Sequence, residues 1–234
     1  MKKLLNNISD VEIDLISFIS SSIYKGYWDY ILNNFKLENN DINTNFIKFI
    51  LKYINIKNKS NGLPILYSEF INKFNKSLLN LLINSGLNIL EVDNDNNSFL
   101  IESIYYNNPK LALTLIELGL DVNHKNSFGN SPIIFAIHND YIDVLISLIE
   151  YGAEINIICE NKTPLIHAIA KNKINCVEIL LKYNADVNLK DIHNRTPIYY
   201  ASECGRFDIV RLLIEYGADV NTSNYSHALS RLNI

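Results

Sequence analysis

The chain has 234 residues, 48% of them hydrophobic and 20% charged, with a mean hydropathy of +0.02. That is enough apolar material for a sizeable core and, by length alone, for one or two domains, while no run approaches the ~18 apolar residues a membrane span needs. The net charge of −4 is unevenly spread: residues 1–80 carry 10 Lys/Arg against 7 Asp/Glu, and the remainder 11 against 18, so the longer part repels phosphate backbones and argues against nucleic-acid binding.

Residues 1–60 read as helical but irregular. Ser9-Asp10-Val11-Glu12 is a capping-box pattern opening an apolar run through Ile19. A second helix is predicted from Tyr27 to Phe35, and a third from about Asn45 to Ile54, where Phe46, Phe49, Ile50 and Tyr53 mark one face. Met1-Lys2-Lys3-Leu4-Leu5 begins like a secretion signal, but Asn6, Asn7 and Asp10 interrupt it before an apolar stretch develops. Residues 61–89 are more regular. Asn61-Gly62 signals a turn, Leu63-Pro64 a helix start, Leu78 to Ile83 a second helix and Gly86 its stop, with a small insertion around Lys73 to Lys76.

From there the chain repeats itself about every 33 residues. Helix starts recur at Ser98-Phe99, Ser131-Pro132, Thr163-Pro164 and Thr196-Pro197, and exits at Leu120-Asp121-Val122-Asn123, Ala153-Glu154-Ile155-Asn156, Ala185-Asp186-Val187-Asn188 and Ala218-Asp219-Val220-Asn221. A small residue keeps its place inside the first helix as Ser103, Ala136, Ala168 and Ala201. An apolar pair recurs in the second as Leu115-Ile116, Leu148-Ile149, Leu180-Leu181 and Leu213-Ile214. Between the helices stand Asn107, Asp140, Asn172 and Gly205, and before each unit Asn96, Gly129, Asn161 and Asn194. These residue types tolerate the left-handed region best, so each unit is predicted to be a helix pair with left-handed breaks. Such a pair has one apolar face and cannot bury it alone; the units must stack into one elongated array.

After Asn221 the tail 222–234 starts another loop, and Ala228, Leu229 and Leu232 suggest a short closing helix. Asn and Ile together make up about a third of the chain, with Lys and Tyr frequent, the codon signature of an AT-rich genome such as that of a large DNA virus, a bacterium or a protist. The asparagines fall at loop and cap positions, which argues against a prion-like tract. Three cysteines, Cys159, Cys176 and Cys204, lack C-x-x-C spacing, which points to reduced thiols in the cytoplasm, or a host's cytoplasm for a viral or effector protein.

Residues 93–221 resemble the ankyrin repeat family, whose pattern runs D-x-x-G-x-T-P-L-H-x-A, then G-H, V-V, L-L and G-A-D-V-N. Asp93, Asn126 and Asp191 stand where the family places its loop aspartate, while the third unit has a loop one residue shorter with Cys159 and Glu160 there. The family histidine is replaced by Ile101, Ile134, Ile166 and Tyr199, so packing must stand in for the hydrogen bond that ring makes between repeats. The resemblance implies an all-α solenoid of stacked helix-turn-helix units joined by hairpin-like loops. It divides the chain into 1–60, an N-terminal cap or degenerate repeats; 61–221, the array, with units at about 61–93, 94–126, 127–158, 159–191 and 192–221; and 222–234, a partial repeat or cap. Worn repeats acting as a cap are the favoured reading of 1–60, because an array needs an end; helices forming a cap of their own, and a separate functional domain, are the alternatives.

A search for chemistry returns little. None of the metalloprotease, serine-hydrolase, phosphate-loop or dinucleotide motifs occurs. His124, His193 and His227 fall in loops, His138 and His167 on first helices, and no metal or cofactor site is expected. Cys176 takes a core-facing valine position, and Cys204 is the thiol placed for reactivity. The recurring Asp121, Glu154, Asp186 and Asp219 are expected to accept backbone N–H groups in the turn. No enzymatic activity is expected.

What the framework leaves over is the surface that, in the family, binds other proteins: the loop tips and the exposed ends of the first helices, lining the concave face. Here it comprises Asn94, Asp95, Asn97, Tyr105 and Tyr106; then Ser127, Phe128, Asn130, His138 and Asn139; then Glu160, Lys162 and Lys171; and Ile192, His193, Arg195, Glu203 and Cys204. Phe128 and Ile192 are apolar at loop tips, where polar side chains are the ordinary choice. The expectation is a monomeric protein-binding module whose partner presents a basic surface. An inhibitor or immunity-type protein that occludes an enzyme or toxin, or a host-directed adaptor, is the alternative, distinguished by a toxin or effector gene beside it.

Overall fold

The computed structural model describes residues 76–84 and 88–220. The expectations for residues 1–60, the start at Pro64, the stop at Gly86 and the closing tail lie outside these, as does nearly all of the expected insertion. Nine helices occur among the described residues: α1 Lys76–Asn84, α2 Phe99–Tyr105, α3 Pro109–Glu117, α4 Pro132–His138, α5 Ile142–Glu150, α6 Pro164–Ala170, α7 Ile174–Lys182, α8 Pro197–Glu203 and α9 Phe207–Glu215. From α2 onward they alternate strictly between 7 and 9 residues.

The local chemistry that set the repeat also sets these boundaries. Proline opens α4, α6 and α8, and the hydroxyls of Ser98, Thr163 and Thr196 accept the backbone N–H of Ile101, Ile166 and Tyr199. Ser131 caps no N–H; its hydroxyl instead lies 3.8 Å from the Cys159 thiol. The breaks between paired helices are left-handed as predicted, with φ of 64° at Asn107, 60° at Asp140, 56° at Asn172 and 63° at Gly205. At the ends of the second helices Gly119, Gly152 and Gly217 have positive φ, and Asn184 does the same work in the third pair at 64°. A Cβ at Gly205 would meet nothing within 4 Å, so Gly205→Ala tests backbone strain alone. It should cost about 1 kcal/mol and lower Tm by roughly 2–4 °C. An unchanged melt would show that this break does not need its conformation.

Each first helix packs on its own second helix; first helices contact first helices (α2–α4, α4–α6, α6–α8) and second helices second helices (α3–α5, α5–α7, α7–α9). The core is therefore a ribbon running through the described units. Ser103, Ala136, Ala168 and Ala201 are fully buried where first helices meet, and Leu115, Leu148, Leu180 and Leu213 are fully buried beneath the second. Burying each leucine contributes on the order of 2 kcal/mol. The second member of each apolar pair is less uniform: Ile116 and Leu181 are buried, Ile149 is half-buried and Ile214 is 43% exposed. Ile101, Ile134 and Ile166 are buried to within 1%, so packing does fill the family histidine's place; Tyr199 is half-buried.

Candidate functional site

The loops before the first helices project as fingers, and a buried or half-buried side chain organises three of the four. In the first finger, Asp93 Oδ1 accepts the N–H of Asp95 at 2.9 Å and of Asn97 at 2.7 Å. In the second, Asn126 Oδ1 accepts from Phe128 at 3.0 Å and Asn130 at 2.9 Å; in the fourth, Asp191 Oδ1 accepts from His193 at 2.8 Å and Arg195 at 2.9 Å. One short acceptor thus satisfies two donors and closes the turn. The third finger, one residue shorter, has no such acceptor. Cys159 and Lys162 exchange both backbone hydrogen bonds, at 2.9 and 3.0 Å, across Glu160 and Asn161 at φ of 44° and 70°. Two consecutive positive φ values are what a two-residue hairpin of type I′ requires, which explains how the deletion is absorbed.

Neighbouring fingers are tied to one another. Ser127 N–H donates to Asp95 C=O at 2.8 Å, Asn126 Nδ2 to Asn97 Oδ1 at 2.9 Å, Asn130 Nδ2 to the Glu160 carboxylate, and Ile192 N–H to Asn161 C=O at 3.3 Å. A second ladder runs through the exits. Asn123 donates to Gly152 C=O and accepts from Glu154 N–H, Asn156 accepts from Asp186 N–H, and Asn188 donates to Gly217 C=O and accepts from Asp219 N–H. Asp121 and Asp186 do accept a backbone N–H in their own turns, from Asn123 and Asn188. The inter-repeat clip, however, is the asparagine two residues on, which sequence reasoning treated only as an exit marker.

The position after the replaced family histidine was also missed. Glu102, His167 and Tyr200 occupy it in the first, third and fourth units, and each reaches back to its own finger. Glu102 lies beside Asp93, whose side chain helps to raise its pKa, His167 Nε2 lies 2.9 Å from Cys159 C=O, and the Tyr200 hydroxyl donates to Asp191 Oδ2 at 2.7 Å. Arg195 completes the fourth finger with its guanidinium 2.8 Å from Asp191 and 4.8 Å from the centre of the Tyr200 ring. Burial and the Asp93 side chain push Glu102 up to about 8. At Asp191 burial acts upward, but the hydrogen bonds from Tyr200, Arg195 and His193 outweigh it and hold the carboxyl at about 2.

Of the expected surface residues, Asn94, Asp95, Tyr105, Tyr106, Ser127, Phe128, Glu160, Lys171, Ile192, His193, Glu203 and Cys204 are exposed. Asn97, His138, Asn139, Lys162 and Arg195 are half-buried, and several are spoken for: Asn97 and Arg195 within their fingers, and Asn139 through Nδ2 to Ile104 C=O at 2.9 Å. Asn130 departs from the expectation of an open surface position: it is only 6% exposed, because its backbone closes the second finger and its amide braces the third. Among the described residues no three His, Cys, Asp or Glu side chains are grouped to hold a metal ion. Cys159 and Cys176 are buried, the Cys176 thiol pushed up to about 12 by burial and by Asp140, while Cys204 is exposed.

Repeated helix pairs stacked like on like, with rigid fingers carrying the side chains that scaffold duties leave free, define a helical-repeat protein that presents a surface. A family model described as ankyrin repeats in three copies matches residues 65–159, 118–191 and 133–224. The chain belongs to the ankyrin repeat family. No curated protein matches it. Ankyrin repeats generally mediate protein–protein interaction and are typically non-enzymatic, and no helix among the described residues is long and apolar enough to cross a membrane.

Proposed function

We propose that this chain is a non-enzymatic binding module that captures a protein on the face made by its fingers and the ends of its first helices. The observation that carries the reading is the exposure of large apolar side chains there: Phe128 is 64% exposed, Tyr105 59%, Ile192 57% and Tyr106 53%. Apolar residues are exposed on the second helices as well, but those on the fingers sit on backbone already fixed by bonds within and between fingers, so binding orders little that is not already ordered. Tyr105 is further held edge-on against Tyr106 and Phe135, with ring centres 5.0 and 6.2 Å apart. The excess of 18 Asp/Glu over 11 Lys/Arg in residues 81–234 favours a partner with a basic face.

The test is the triple replacement of Tyr105, Tyr106 and Phe128 by alanine. Affinity capture from the native cell should retain a protein with the wild-type chain and lose it with the variant, an affinity drop of roughly a hundredfold or more if two of the three are anchors. Circular dichroism and the melting temperature should barely move. Capture that survives the triple change would remove this face from consideration, and loss of helicity would assign the three rings to the core.

A further inference from the structure

The ends of α4 and α6 bring two imidazoles together. His138 Nε2 lies 3.4 Å from His167 Nδ1, the rings are tilted by 57° and their centres are 5.3 Å apart. Two imidazole nitrogens on one tetrahedral zinc ion, each at about 2.05 Å, stand about 3.3 Å apart with ring centres about 5.2 Å apart. A straight N–H···N hydrogen bond at the observed separation would hold the centres about 5.7 Å apart, each nitrogen lying about 1.15 Å from its ring centre. The pair is bent towards the chelating arrangement.

A second feature supports the same reading. His167 Nε2 is 2.9 Å from Cys159 C=O, an acceptor only, so Nε2 carries the proton and Nδ1 presents its lone pair to His138. A carbonyl behind a ligating histidine is how metal sites fix tautomer and ring orientation. His167 is 5% exposed and cannot turn away, whereas His138 is half-buried and opens the pair to solvent. The charged side chains bearing on the two rings are Glu160, Lys162 and Lys171. The carboxylate favours a cation and the two ammonium groups oppose it.

We propose that His138 and His167 form an open two-imidazole site for a tetrahedral divalent cation, zinc by preference, with the remaining positions taken by water or an external ligand. Without the ion, His138 Nε2–H donates to His167 Nδ1. With it, His138 carries its proton on Nδ1 and both facing nitrogens bind, so two neutral rings exchange one hydrogen bond for two metal bonds and no proton is released. Imidazole donors with tetrahedral geometry suit zinc, whereas magnesium and calcium demand oxygen ligands.

The experiment uses the full chain, stripped with a chelator and titrated with zinc chloride while the histidine ring nitrogens are followed by nitrogen-15 NMR. The expected result is one zinc per chain, with His138 Nε2 and His167 Nδ1 shifting together and magnesium without effect. His138→Asn should weaken that binding by roughly tenfold or more, the scale on which even supporting residues of metal sites act. Because the wild-type spectra identify the ligands, the test does not depend on the variant folding. Shifts confined to His124, His193 or His227, or unchanged zinc affinity in a folded His138→Asn chain, would overturn the site.

Discussion

Glu102→Gln is expected to stabilise the protein at neutral and alkaline pH and to do almost nothing at pH 4.5. Glu102 is 7% exposed, and burial together with the neighbouring Asp93 raises its carboxyl from 4.5 to about 8, with Asp95 acting in the same direction and Asn97 against it. The folded chain therefore holds a proton that the unfolded chain releases. Below pH 4.5 both states are protonated and nothing is lost; as pH rises from 4.5 to about 8 the folded state pays progressively for keeping or burying that group. Glutamine keeps a donor towards Asp93 and removes the titration. At pH 7 the gain should be on the order of 1–3 kcal/mol, several degrees in Tm. Thermal melts of both chains between pH 4.5 and 9 decide it: a wild-type Tm that does not fall relative to the variant across this range would mean that Glu102 is not a buried acid.

Replacing Asp191 should be the most damaging single change in the fingers. Its side chain is wholly buried and accepts two backbone N–H groups, the Arg195 guanidinium and the Tyr200 hydroxyl. Alanine leaves those donors without an acceptor and Arg195 without its counter-charge, a loss on the order of 3 kcal/mol. The second finger supplies a natural control, since Asn126 makes the same two backbone bonds without a charge. Asp191→Asn should accordingly cost only about 1–2 kcal/mol, the part owed to Arg195 and Tyr200. Denaturant unfolding of both variants, with amide exchange at His193 and Arg195, checks the division. Equal costs for alanine and asparagine would mean that the backbone bonds contribute nothing. The carboxyl is held at about 2, below its ordinary 3.8, so the charge-dependent part of its contribution is present above pH 3.8 and fades as pH falls towards 2.

The frame was legible because its signals are local. Pro164 and Thr163 act on the first turn of one helix, and Asn107, Asp140, Asn172 and Gly205 reverse the chain by their own φ. The candidate face was only partly legible. Phe128, Ile192, Tyr105 and Tyr106 could be placed in the open from the family resemblance and are open, whereas Asn130 could not be told from its exposed neighbours Ser127 and Phe128, since its amide is engaged by Glu160, thirty residues away. The same holds for Asn123 and Asn188, whose amides clip the next unit 29 residues on.

By itself the sequence determined the helix pairs, their period, their left-handed breaks and the family, because each is encoded within a few consecutive residues and then written four times over. Only the tertiary structure decided what the polar residues do: that Glu102 is a buried acid beside Asp93, that Asp191 gathers Arg195 and Tyr200, and that His138 meets His167. Hydrogen bonds and burial at these positions are made between turns or between repeats, and the strength of each depends on distances and solvent exclusion that no stretch of sequence carries.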